Sequence, residues 1–210
     1  MAALGVESLL EGLDGIAYVT DCEGTVLSIG RSNWNAFAKA NGGESLCDGN
    51  GVLGCSVFSF VTGAAVTELY RHWFEAVLRG RAPRARVLTR CDSPSVRREL
   101  MVTITPLTGS RGRIEGMLFQ SQTLSEEVRP KISLFDFAAE RRRLSGQAAL
   151  PVLAMCSYCQ NVRFPAGSSD DDGAWISADR YYRQGGATDV RISHGICPDC
   201  FAREALALAS

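Results

Sequence analysis

An excess of charge of either sign is missing from this 210-residue chain: 22 lysines and arginines stand against 23 aspartates and glutamates, a formal net charge of −1. With no global field to draw polyanions or anionic lipid, binding to nucleic acid or to a membrane surface is disfavoured. A spanning run is missing as well. The longest uncharged stretch, Gly49 to Thr67, is interrupted by Gly49, Asn50, Gly51, Gly54, Ser56, Ser59, Thr62 and Gly63 and is too polar to cross a bilayer. No lysine or arginine precedes Arg31, and Glu7 and Glu11 break the first apolar residues, so the basic and apolar blocks of a secretory signal are not there. The expectation is a cytoplasmic protein with no membrane partner. Kinase, receiver and cyclase motifs are missing too, as are internal repeats, so the chain is not expected to be an enzyme.

What is present divides into two chemically different parts. Cys22, Cys47, Cys55 and Cys91 are scattered, whereas Cys156, Cys159, Cys197 and Cys200 form two Cys-x-x-Cys pairs. Without a secretory signal, thiols or metal ligands are better expectations for eight cysteines than disulfides.

In the first part, Ile16–Thr20 and Thr25–Ile29 read as strands around the turn Asp21-Cys-Glu-Gly24. Ser32 is a candidate cap for a helix bearing Trp34, Phe37 and Ala38, ended by Asn41-Gly42-Gly43. Leu69, Trp73, Val77 and Leu78 recur at helical spacing before Gly80. Three further strands are expected at Ala85–Arg90, Glu99–Pro106 and Arg113–Thr123. Strands first and last with helices between them require no βαβ crossover, which gives an antiparallel α+β sheet with its helices on one side. Residues Leu13 to Leu124 then resemble a PAS domain, through Asp14-Gly-Ile-Ala-Tyr-Val-Thr-Asp21 with Gly24, Gly54-Cys-Ser-Val-Phe58, and Met117-Leu-Phe-Gln-Ser-Gln122. The resemblance implies a five-stranded sheet and a sensory role over residues 13–124.

Residues 125–149 read as a linker, with a helical pattern from Ile132 to Leu144 that ends in Arg141-Arg-Arg143. Residues 150–210 read as a zinc-binding module, led by a strand from Leu150 to Met155. Two Cys-x-x-Cys turns supply the four soft ligands of a tetrahedral zinc site, and Cys197-Pro-Asp-Cys200 opens a helix-forming run in the manner of a treble clef. His194, three residues before Cys197, is a fifth candidate, either replacing one cysteine or supporting the ligands from outside. Iron competes with zinc for such a set. The 37 residues between Cys159 and Cys197 must hold structure of their own, with Trp175, Ile176, Tyr181 and Tyr182 as a small core and Ser177 as a helix cap. The acidic tract Ser168-Ser-Asp-Asp-Asp-Gly173 reads as a solvated loop, since its carboxylates are consecutive where calcium loops alternate them. Met155–Arg163 and Ser193–Cys200, with Gly173–Trp175 and Tyr181-Tyr182, resemble a short module that follows PAS or receiver domains in bacterial signalling proteins.

The expected function is that of a sensory or regulatory protein whose PAS-like half receives a ligand or partner and whose zinc module contacts another protein. The alternative is a redox switch that releases metal when the cysteine pairs are oxidised. A thiol oxidoreductase is disfavoured, because it wants a lone Cys-x-x-Cys in a βαβ setting. Cys55 lacks the Asn and Arg neighbours of a flavin-binding cysteine, and His72 reads as an ordinary helix histidine rather than a haem ligand. The basic stretch holding Arg79, Arg81, Arg84, Arg86, Arg90, Arg97 and Arg98, with Asp92 its only acid, has no interleaved aromatics for base stacking. A homodimer through the PAS-like half is expected, from the apolar faces Leu4, Leu9, Leu10, Leu13 and Ile132, Phe135, Ala139.

Overall fold

The computed structural model describes residues 5–136, 150–164 and 173–209. Leu4, Ala139, Arg141–Arg143 and residues 168–172 of the acidic tract, singled out above, lie outside them. The described residues fall into two units. One gathers 5–61, 67–88 and 100–124; the other gathers 62–66, 89–99 and the described residues from 125 onward. No described helix is long and apolar enough to cross a membrane.

The first sheet is built from β1 (Ile16–Thr20), β2 (Val26–Ile29), β3 (Ala85–Arg90), β4 (Val96–Thr108) and β5 (Ile114–Val128), in the order β2-β1-β5-β4-β3. It is the five-stranded antiparallel PAS-like sheet that the sequence implied. Asp21 sets the first hairpin, its Oδ1 accepting the backbone N–H groups of Glu23 and Thr25 at 3.0 and 2.7 Å. Tyr18 pairs with Phe119 across β1 and β5. Their rings stack at 4.9 Å, and Trp34 of α2 (Arg31–Ala40) meets Tyr18 edge-on while Phe74 of α3 (Ala64–Leu78) lies over Phe119. Helices α2 and α3 therefore cover the Tyr18 face.

Alternation sends Ala17 and Val19 to the other face, where Leu10 and Leu13 pack with them and with Leu107 and Leu118. Leu10 belongs to the short helix α1 (Val6–Glu11) and is 2% exposed. The cap of α2 also differs from expectation. The helix starts at Arg31, so Ser32 lies within its first turn, and its N–H donates to the Glu11 carboxylate at 3.0 Å. That carboxylate takes the place a serine hydroxyl would fill, because the chain brings the end of α1 to the start of α2.

In the second unit, Ile132, Leu134 and Phe135 are buried with Leu153, Met155, Val162, Phe164, Ile176 and Tyr181. The described part of the segment expected to be a linker helix is the end of β5 and a single 3-10 turn, Ser133–Phe135. A second sheet follows, formed by β6 (Val152–Cys156), β7 (Val162–Arg163), β8 (Trp175–Ile176) and β9 (Arg191–Gly195) in the order β8-β7-β6-β9. Helix α4 (Ala178–Arg183) is capped by Ser177, whose hydroxyl accepts the Arg180 N–H at 3.2 Å, as the sequence suggested. Helix α5 (Pro198–Ala209) follows β9.

Candidate metal centre

Strand β9 runs parallel to β6, with Met155 opposite His194 and Cys156 opposite Gly195. A parallel partner requires a crossover, which β7, β8 and α4 provide and which accounts for the long gap between the cysteine pairs. Extending both strands by a residue or two past Cys156 and Gly195 carries the two Cys-x-x-Cys turns to the same end of the sheet. Cys156 closes β6, and the chain turns back at once. Gln160 N–H donates to the Cys156 carbonyl at 2.9 Å, Cys156 N–H to the Asn161 carbonyl at 2.8 Å, and Gln160 adopts a left-handed φ of 56°. Cys197 immediately precedes Pro198, the first residue of α5, where a missing N–H costs nothing.

The four sulfurs of Cys156, Cys159, Cys197 and Cys200 lie within 4.8 Å of one another. Cys159 Sγ and Cys197 Sγ are 3.7 Å apart. Four thiolates at ~2.3 Å from one ion form a tetrahedron with edges of about 3.8 Å, so the observed spacing suits a single ion at the centre. Backbone amides point at the sulfurs as well: Cys197 N–H donates to Cys156 Sγ at 3.4 Å, and Cys200 N–H to Cys197 Sγ at 3.5 Å. Cys156, Cys197 and Cys200 are buried and Cys159 is half-buried.

In the bare cluster Cys156 is set apart from Cys159 and Cys200. The hydrogen bond from Cys159 holds the Cys156 thiol well below its ordinary pKa, and donating that bond, together with burial, pushes Cys159 up. Burial first, and then the negative charge of Cys156, pushes Cys200 up. A divalent cation removes this mutual repulsion, which is why such a set binds metal with release of protons.

No family model matches the chain, and no curated protein matches it. Among solved structures it is similar to the PAS domain of BvgS from Bordetella pertussis, at 18% identity over 66% of this chain and 90% of that one, TM-score 0.44. It is similar to a Vibrio cholera VqmA complex with ligand and DNA, at 20% identity over 70% of this chain and 60% of that one, TM-score 0.44. A sensory box sensor histidine kinase from Vibrio cholerae matches at 11% identity over 57% of this chain and 89% of that one, TM-score 0.38. At these identities and scores none of the likenesses carries an argument about function.

His194, the fifth candidate ligand, is not part of the sulfur cluster. The parallel register places it opposite Met155 on β9, two residues short of the turn that presents Cys197. His72 is exposed on α3. The basic stretch is broken up by pairing: Arg79 meets Glu75, Arg90 meets Asp92, Arg97 meets Glu99 and Arg98 meets Glu126. One expectation needs correction. The parallel β6–β9 pair with α4 between its strands is a strand–helix–strand crossover, and Cys197-Pro-Asp-Cys200 opens a helix, so that half of the case against thiol redox chemistry does not hold. What argues against it is the second pair beside the first, which makes neither pair a lone dithiol.

Sequence reasoning did not anticipate a cavity of about 170 Å³ in the first unit, lined only by apolar surface from Tyr18, Val26, Trp34, Val52, Val57 and Phe60. Burial pushes the Tyr18 phenol up, so it stays uncharged beside this space. The signal in sequence was an aromatic on β1 with the same parity as Val19's neighbours, too weak to read without the helices in place.

Proposed function

We propose that the chain is a sensory, regulatory protein: the PAS-like half takes up a small apolar molecule, and the C-terminal module, folded around one structural zinc, presents a surface to a protein partner. The observation that carries the metal half is the cluster of four cysteine sulfurs with the spacing of a single tetrahedral ion and no open position for catalysis. The cavity supports the ligand half, since its wholly apolar lining favours an uncharged guest. Cytoplasmic residence and the absence of enzymatic activity belong to the same reading, as does a lack of affinity for nucleic acid, supported by the pairing of Arg79, Arg90, Arg97 and Arg98 with acids. The test is elemental analysis with an absorption spectrum on reduced protein purified without added metal. One zinc per chain and no visible band are expected; iron, or no metal, rejects the reading.

A second reading has its own observation, the 3.7 Å approach of Cys159 to Cys197. Peroxide takes two electrons from this sulfur pair, forming one disulfide and, with two protons, two waters, and the zinc leaves because two ligands are lost. Equimolar zinc release on adding peroxide, reversed by a dithiol, supports the switch.

A further inference from the structure

Asp92, the only acid in the basic stretch, has a fully enclosed side chain. Arg90 forks onto both of its carboxylate oxygens, and Arg129 Nη1 approaches Oδ2 at 2.8 Å. Its Oδ1 also accepts the Arg98 N–H at 3.1 Å. A carboxylate is buried this way only with several charge-assisted partners, and this one has them.

The same residues reach the first cysteine turn. Arg90 Nη1 donates to the Cys159 carbonyl at 2.7 Å, and the Thr89 hydroxyl donates to the Ser157 carbonyl at 3.1 Å. Gln160 closes the loop. Its Nε2 donates to the Arg90 carbonyl and its Oε1 accepts the Asp92 N–H, both at 3.2 Å. Four hydrogen bonds thus join residues 89–92 to residues 157–160, all within the second unit.

We infer that Thr89, Arg90 and Asp92 are positioning residues of the metal centre: they hold the Cys156–Cys159 turn in ligating shape, and metal in turn fixes the segment between β3 and β4. The inference rests on the metal reading above. Binding free energies are reciprocal, so anything that shifts the ends of β3 and β4 changes metal affinity, and loading the metal restrains those ends. Arg90 is the last residue of β3 and Val96 the first of β4, so within the second unit this segment ties those strand ends to the first cysteine turn.

The experiment measures zinc affinity by competition with a chromophoric chelator in reducing buffer, for the full chain and for Arg90→Gln, Arg90→Lys and Thr89→Val. Amide hydrogen exchange of Asp92 and Arg98 is followed with and without zinc. Arg90→Gln leaves Asp92 paired with Arg129 and is expected to weaken zinc about 10- to 100-fold, the usual cost of losing a group that orients a ligand. Arg90→Lys regains part of this, since one donor remains but the fork does not. Zinc is expected to slow exchange at both amides in the wild-type chain. Zinc affinity for Arg90→Gln within about threefold of wild type overturns the inference. Should that variant fail to fold, Thr89→Val decides, with unchanged affinity and zinc-independent exchange as the overturning result. If the wild-type chain takes up no zinc, the metal reading itself fails and the inference goes with it.

Discussion

At the scale of single residues, the four cysteines whose sulfurs cluster were legible from spacing alone, because a Cys-x-x-Cys turn fixes its own geometry. Cys197→Ser is expected to lower zinc from one per chain to a small fraction and to abolish protection of the described residues from 150 onward. Structural zinc contributes on the order of 10 kcal/mol or more to such folds, comparable to the whole stability of a domain. Exchange at residues 89–99 should rise with it, since they group with the second unit; metal analysis and hydrogen exchange on the same sample check both statements. Asp92 was visible as an isolated acid among arginines, yet its role was not, because its partners Arg129 and Gln160 are 37 and 68 residues away and no local pattern links them. Gly15 is a different case. At φ +77° a β-carbon there would lie 2.1 Å from the Ser121 carbonyl, so Gly15→Ala is expected to cost roughly 2–4 kcal/mol in urea denaturation, by strain at a special backbone position.

Elements with a strong period were located correctly, although β4 and β5 run longer, over Val96–Thr108 and Ile114–Val128, than the expected Glu99–Pro106 and Arg113–Thr123. Strand β3 runs over the expected Ala85–Arg90, and α3 contains Leu69, Trp73, Val77 and Leu78 on the expected spacing. Where a tertiary partner decides, the pattern misleads: Ser32 looked like a cap, but Glu11 from another helix does that work. Likewise Ile132 and Phe135 looked like one face of a helix, yet they enter a core built with β6, β7 and α4. Phe119→Ala, which removes the ring between Tyr18 and Phe74, is expected to destabilise the first unit by about 3–5 kcal/mol. Ser177→Ala should cost about 1 kcal/mol by removing the α4 cap. Both are checked by denaturant titration of metal-loaded protein.

For the whole molecule, the homodimer loses most of the residues that suggested it. Leu10 and Leu13 lie against the first sheet, and Ile132 and Phe135 lie inside the second unit, whereas Val6 and Leu9 remain 47% and 57% exposed. If α1 pairs two copies, Leu9→Glu should halve the mass seen by light scattering at micromolar concentration without releasing zinc, and a wild-type monomer would remove the dimer altogether.

The parallel pairing of β6 with β9 also sets a timetable. During synthesis the first cysteine pair leaves the ribosome long before the second, and its final neighbour, β9, cannot align until the crossover through α4 has been made. At ~5–20 residues per second, the 41 residues from Cys159 to Cys200 take about 2–8 s, during which Cys156 and Cys159 are an unguarded dithiol. On the proposed metal reading, an ion held by all four sulfurs cannot be captured before Cys200 has been made, and a nascent chain that meets an oxidant before that moment would be lost as a trapped, half-made module.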